Sequence, residues 1–218
     1  PSPSINTDAA SFSDQATVNL ETVIPDADIV LDSQGAGSKI SSVREPFRID
    51  ESIALTAHSE KAGWLSSVAS EFEVVKISEP FISETLRFGN PAQTVSVPME
   101  GVRTLILLTD ATTDGTHEDH TNWCDAHLID ADGQKIYLSD LKPHSSAQGW
   151  GKLGFDRSVS DLPLKIANQD FAKGLGTHSN SQLVFSLNGE YQTFSARIGI
   201  DDNAGSHGSA IFKVQTVK

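Results

Sequence analysis

One pattern recurs along this chain and constrains its fold more than any other: short stretches of alternating apolar and polar residues, closed by Gly, Pro, Asn or Asp. Ala16-Thr17-Val18-Asn19-Leu20, Ile53-Ala54-Leu55-Thr56-Ala57, Thr94-Val95-Ser96-Val97 and Gln182-Leu183-Val184-Phe185-Ser186-Leu187 all follow it. Successive side chains of a strand point to opposite faces, so the alternation predicts strands buried on one side. Thr104-Leu105-Ile106-Leu107-Leu108 is apolar almost throughout, which predicts a strand covered on both faces. No window keeps a helical apolar stripe over several turns. An all-β chain of two β-sandwich domains is expected.

The expected boundary lies near residues 77–82. There Ile77-Ser78-Glu79-Pro80 follows the strand Phe72-Glu73-Val74-Val75, and proline cannot donate to a continuing ladder. This divides the chain into residues 1–78, a size suited to an immunoglobulin-like sandwich, and residues 79–218, a size suited to a jelly roll.

Composition narrows the partners. Sixteen basic against 29 acidic residues give a formal net charge of -13, a field that repels phosphate backbones, so nucleic acid is not expected. Neutral sugars suit that balance. No apolar run approaches the ~20 residues of a membrane-spanning helix, so no membrane insertion is expected. Pro1-Ser2-Pro3-Ser4 shows neither a basic n-region nor an apolar h-region, hence no signal peptide is expected at this start. Cys124 is the sole cysteine. It excludes an intrachain disulfide and a Cys-rich zinc site, and it reads as a small core residue.

Two resemblances sharpen the picture. Residues 11–76 resemble the small Fn3-like domain found at the C-terminus of chitobiases and β-hexosaminidases. The match runs through Ala16 to Glu21, then Ile24-Pro25-Asp26-Ala27-Asp28-Ile29-Val30-Leu31-Asp32, where the family's Leu-Asp-Gly turn is stretched to Leu31-Asp32-Ser33-Gln34-Gly35. It continues in Glu45-Pro46-Phe47-Arg48-Ile49-Asp50-Glu51-Ser52 and in Gly63-Trp64 with Ser66-Ser67-Val68. Such domains are usually spacers.

The second resemblance is to the NPCBM family of carbohydrate-binding modules. It rests on Gly174-Leu175-Gly176-Thr177-His178-Ser179-Asn180-Ser181, on Phe194-Ser195-Ala196-Arg197-Ile198-Gly199-Ile200-Asp201-Asp202, and on Gly208-Ser209-Ala210-Ile211-Phe212-Lys213-Val214. Tyr137-Leu138-Ser139-Asp140-Leu141, Gly149-Trp150-Gly151, Leu108-Thr109-Asp110 and Asp119-His120-Thr121-Asn122-Trp123 add to it. In the usual family order the Asp-His-x-x-Trp segment closes the module and the Tyr-Leu-Ser-Asp-Leu segment opens it. Here the order is reversed. A circular permutation is the favoured reading, since two half-modules would each expose unpaired strand edges.

The resemblance implies a sugar site, and the side chains suited to one are Trp150, His178, Asn180, His120, Trp123, Arg197 and Asp202. Buried tryptophan is the commoner fate in a sandwich, which points Trp123 to the core and leaves Trp150, between two glycines, as the ring-stacking candidate. His178 either contacts ligand or ties its loop to a backbone carbonyl. Separately, Asp110, Asp114, Asp119, Asp201 and Asp202 fall in loops after expected strands. Asp110, Asp114 and Asp201 are candidate ligands for a structural calcium ion, and the competing reading is that such aspartates cap turns. The pair His117-x-x-His120 has a spacing seen in transition-metal sites, but with no further ligand at hairpin spacing it reads as loop histidines.

Nothing nominates a facing pair of catalytic carboxylates or a nucleophile elbow. The expected function is a non-catalytic accessory region of a secreted, periplasmic or cell-surface glycoside hydrolase, binding terminal galactose- or fucose-type sugars beside a catalytic domain. The alternatives are a purely structural domain packed on such a partner, and a fragment of a glycosidase such as an α-L-fucosidase that lines its substrate cleft.

Overall fold

The computed structural model describes residues 1–7, 11–34, 39–41 and 45–218. It is all-β: among the described residues the sole helical element is a 3₁₀ turn at Leu138–Asp140. Two compact units divide the chain, Pro1–Ile77 and Ser78–Lys218.

The first unit contains β1 (Ser4–Thr7), β2 (Ser11–Phe12), β3 (Ala16–Glu21), β4 (Asp28–Gln34), β5 (Lys39–Ser41), β6 (Phe47–Ile49), β7 (Ile53–Glu60) and β8 (Ser70–Lys76). They form a sheet β1-β3-β6 and a sheet β2-β8-β7-β4-β5. Alternation decides what is buried: in β3, Ala16, Val18 and Leu20 turn inward, and in β7, Leu55 and Ala57 do. These meet Ile29 and Leu31 of β4 and Val74 of β8 in one apolar core between the sheets. β4 runs on as far as Gln34, through most of the stretch where a turn was expected, and Gly35 lies outside the described residues.

The second unit opens with β9 (Ser78–Ile82), β10 (Leu86–Arg87), β11 (Gln93–Pro98), β12 (Thr104–Ala111), β13 (His120–Asp130), β14 (Lys135–Tyr137) and β15 (Ser145–Gln148). There follow β16 (Gly154–Phe155), β17 (Leu164–Ile166), β18 (Gln169–Phe171), β19 (Gly174–His178), β20 (Ser181–Ser186), β21 (Tyr191–Ile200) and β22 (Ser209–Val217). Two antiparallel sheets, β10-β22-β12-β20-β15 with β9 on β22, and β11-β21-β13-β19-β16 with β14 on β13, enclose the larger core. Pro80, expected to break a ladder, instead sits within β9. That strand lies at a sheet edge, and its register against β22 shifts between Val214 and Thr216, so the missing N–H is tolerated. β12 is buried along Leu105, Ile106 and Leu107, as its apolar run predicts.

β13 carries the irregularity that matters most. Its register against β21 steps from Cys124↔Arg197 to His127↔Ser195, a bulge in which Asp125 takes φ 53°. The bulge resets the alternation, so Trp123, Ala126 and Leu128 all face the main core. Cys124 points to the other face, where the β17–β18 hairpin covers it with Leu164 and Ile166. Burial pushes its thiol well above the ordinary cysteine range, so Cys124 is inert packing.

Candidate functional site

Two neighbouring strands bring the first side chains together. β13 begins at His120 and β19 ends at His178, and their antiparallel register sets these residues directly opposite. A cross-strand pair shares one face of the sheet, and the two imidazole centroids lie 5.5 Å apart. Trp150 reaches them from the loop between β15 and β16. Its indole stacks on His120 with centroids 5.5 Å apart and 12° between planes, and tilts against His178 at 5.6 Å.

Close approach of its flanking glycines to their neighbours fixes the path of the chain at Trp150. A Cβ on Gly149 would stand 2.6 Å from the Ser179 carbonyl oxygen, and one on Gly151 (φ 72°) would stand 2.6 Å from a Val159 methyl. Only glycine allows the loop to press so closely on both neighbours. Gln148 Nε2 donates to the Trp150 carbonyl at 2.6 Å. The Ser179–Asn180 peptide beside Gly149 is cis. The indole itself stays 55% exposed.

These three rings line a cleft of about 600 Å³ whose remaining wall is the segment between β12 and β13, including Asp114, His117 and Glu118. Hydrogen bonds from the Thr112 and Ser209 hydroxyls, with Arg87 beyond them, hold the Asp114 carboxyl below the usual range. The His207 backbone N–H, 3.0 Å away, does the same for Glu118. Both are carboxylates at neutral pH. Burial pushes Asp119 the other way. One of its oxygens accepts the Ser209 N–H at 2.8 Å, and the other has no partner among the described residues. Burial, then the adjacent His178, depresses the His120 imidazole. His178 Nδ1 faces the Ser179 carbonyl at 2.7 Å and must carry a proton to bond it, which in the neutral ring leaves Nε2 as an acceptor.

The structure therefore brings together Trp150, His120 and His178 of the sequence candidates, and sends the others elsewhere. Trp123 is fully buried, edge-on to Phe212 at 5.2 Å. Asn180 tethers the end of β12, its Oδ1 accepting the Ala111 N–H at 2.6 Å. Arg197 donates to the Ala92 carbonyl at 3.2 Å and stands opposite Cys124 in register, under the hairpin side of the sheet. Asp202 caps the β17–β18 turn, accepting the N–H groups of Ala167 and Asn168 at 2.8 and 2.7 Å.

Nor do the calcium candidates converge. Asp110 pairs with Lys213 at 2.8 Å, and Asp114 takes the bonds just described. Asp201 is fully buried among donors, from Asn122 Nδ2, from the N–H and side-chain amide of Asn203, and from the Lys165 N–H. A carboxylate already ringed by donors has little left for a cation. Among the described residues no cluster of three or more His, Cys, Asp or Glu is placed to hold a metal.

Glu118 and Ser160 were not singled out by the sequence. Ser160 Oγ lies 3.3 Å from His120 Nδ1, forty residues along the chain, which no local pattern announces. Glu118 sits between two noted histidines, so the run His117-Glu118-Asp119-His120 held a readable signal.

The NPCBM/NEW2 domain model matches residues 54–129 and 134–216, most of the chain. The chain belongs to the NPCBM/NEW2 family. This membership fits a carbohydrate-binding accessory module. A protein of Renibacterium salmoninarum, provisionally named endo-alpha-N-acetylgalactosaminidase, is 32% identical over 85 residues. That match covers 36% of this chain and 6% of the relative, so the chain spans a small part of it. A structure from work on the promiscuous specificity of carbohydrate-binding modules of the beta-sandwich superfamily shows 6% identity and a TM-score of 0.35 over 100% of this chain and 92% of that one. The M60 catalytic domain with the CBM51-1 and CBM51-2 domains of Clostridium perfringens ZmpB shows 13% identity and a TM-score of 0.25, over 99% of this chain and 31% of that one.

Proposed function

We propose that the second unit is a non-catalytic module that binds terminal galactose- or fucose-type sugars at the Trp150–His120–His178 cleft, within a secreted or surface glycosidase. The observation that carries this reading is a half-exposed tryptophan beside two imidazoles and the Glu118 carboxylate in one cleft. An indole face receives the C–H side of a pyranose, and His Nε2 and carboxylate oxygens accept bonds from its hydroxyls. The galactose bias is supported by the name of the Renibacterium relative.

Catalysis fits poorly. Glycoside hydrolysis needs one carboxyl kept protonated to act as general acid, and both cleft carboxylates are held below their ordinary range. Asp119, the carboxyl that burial raises, is 1% exposed and bonded to the Ser209 backbone.

The first unit serves in this proposal as an Fn3-like spacer, and the second as one circularly permuted module. Support for permutation comes from the pairing. β12, from the first matched stretch, lies between β20 and β22 of the second, and β13 lies between β19 and β21. Segments so interleaved favour one sandwich over two half-modules. Calcium is left out of the proposal because its three candidate ligands each have separate partners.

Calorimetric titration with galactose, N-acetylgalactosamine and fucose tests the reading. At least one should bind, and Trp150→Ala should weaken it by tenfold or more while the far-UV spectrum stays unchanged. A blank across the panel, or an unaffected Trp150→Ala variant, would overturn it in favour of a structural module.

A further inference from the structure

The cleft does not end at Trp150. A second hollow of about 530 Å³ begins at the same indole and is lined by Lys152, Ser160 and Asp161 with the chain around Gly154. Trp150 is the residue shared by the two hollows, and Ser160, in the second, reaches His120 Nδ1 of the first at 3.3 Å. On the other flank a third hollow of about 330 Å³ shares Asp114 and His117 with the cleft.

The two flanks differ in what divides them from the centre. Towards the third hollow the divide is Asp114, whose oxygens already accept Thr112, Ser209 and Arg87, and His117, which lies 3.6 Å from Glu118 with its ring beside that of His207. Groups committed to one another have little to offer an incoming hydroxyl. Towards the second hollow the divide is an exposed aromatic ring, and beyond it stand an exposed amine and an exposed carboxylate, Lys152 and Asp161. A ring at a divide can be covered by a sugar chain passing over it, while Lys152 donates to and Asp161 accepts from hydroxyls of the next residue.

We infer that the site recognises an oligosaccharide of at least two residues, its terminal sugar in the ring-lined cleft and its next sugar in the Lys152–Ser160–Asp161 hollow. This rests on the proposed sugar-binding role of the cleft and extends it from a terminal residue to a glycosidic pair. A second subsite making two or three further hydrogen bonds raises affinity about tenfold over the monosaccharide.

The test is calorimetry on the full chain with galactose, N-acetylgalactosamine and fucose, and with disaccharides in which each caps a second hexose. The expected result is a disaccharide bound about tenfold tighter than its terminal monosaccharide. Lys152→Ala and Asp161→Asn should each cut that preference to within about threefold and leave monosaccharide affinity unchanged. Asparagine is chosen because residue 161 has φ 61°, which it tolerates. Arg87→Ala, at the third hollow, should leave the preference intact. Equal affinity for mono- and disaccharides would overturn the second subsite while sparing the cleft. A preference lost in Arg87→Ala and kept in the other two variants would place the extension on the opposite flank and overturn this assignment. If no sugar of either length binds, the reading of the cleft itself fails.

Discussion

His120 shows how one residue can couple stability, acidity and recognition. Its imidazole is packed against Trp150 and His178 and depressed by burial, so the folded unit favours the neutral ring. A group whose folded pKa lies below its unfolded one adds stability that is present above the ordinary histidine value, about 6.5, and is lost as pH falls through the lowered value. Asp119 works in the opposite sense, because its raised carboxyl favours the fold when protonated. The prediction is therefore a difference: below about pH 6.5, the melting temperature should fall more steeply in the native chain than in His120→Asn. Parallel curves for the two proteins would count against a half-buried neutral imidazole. At this scale the residue type and its company in the chain were legible. It could not assign burial, because the neighbours that desolvate His120 come from a loop and a strand distant along the chain.

The β17–β18 hairpin illustrates the scale of the element. Its turn places Ala167 at φ 47° and Asn168 at φ 64°, the left-handed pair that a tight hairpin requires. Alanine is costly there, and the two N–H groups of the turn both bond Asp202. Asp202→Ala should cost about 1–2 kcal/mol in chemical denaturation, through loss of two carboxylate-accepted hydrogen bonds, with sugar affinity unchanged. An undiminished midpoint would show the cap to be idle. Asp201, one residue earlier, is fully buried in a ring of donors, so adjacent aspartates divide between core and turn. Which hairpin Asp202 would cap was not legible, since that partner lies 34–35 residues away.

At the scale of the whole molecule, two units carry separate apolar cores, one built around Val18, Leu31 and Ala57, the other around Trp123, Phe185 and Phe212. A fragment of residues 78–218 is expected to unfold cooperatively by itself and to keep the sugar affinity of the full chain, while residues 1–77 bind none. In the full chain, saturating sugar should raise only the transition assigned to the second unit. A fragment that fails to fold would contradict the independence of that core. The sequence by itself determined the β class and the strands near residues 16–20, 53–57, 94–97 and 182–187, because period-two alternation and local turn residues act through neighbours in the chain. It also held the family motifs, which mark a chemistry without placing it. Only the tertiary structure decided which of seven sugar candidates meet. His120 and His178 face one another through antiparallel register, Trp150 is brought in by the close approach of Gly149 to Ser179, and Arg197 and Asp202 are carried to other work. Register and loop closure depend on contacts between distant segments, and those contacts carry no local periodicity for a sequence to display.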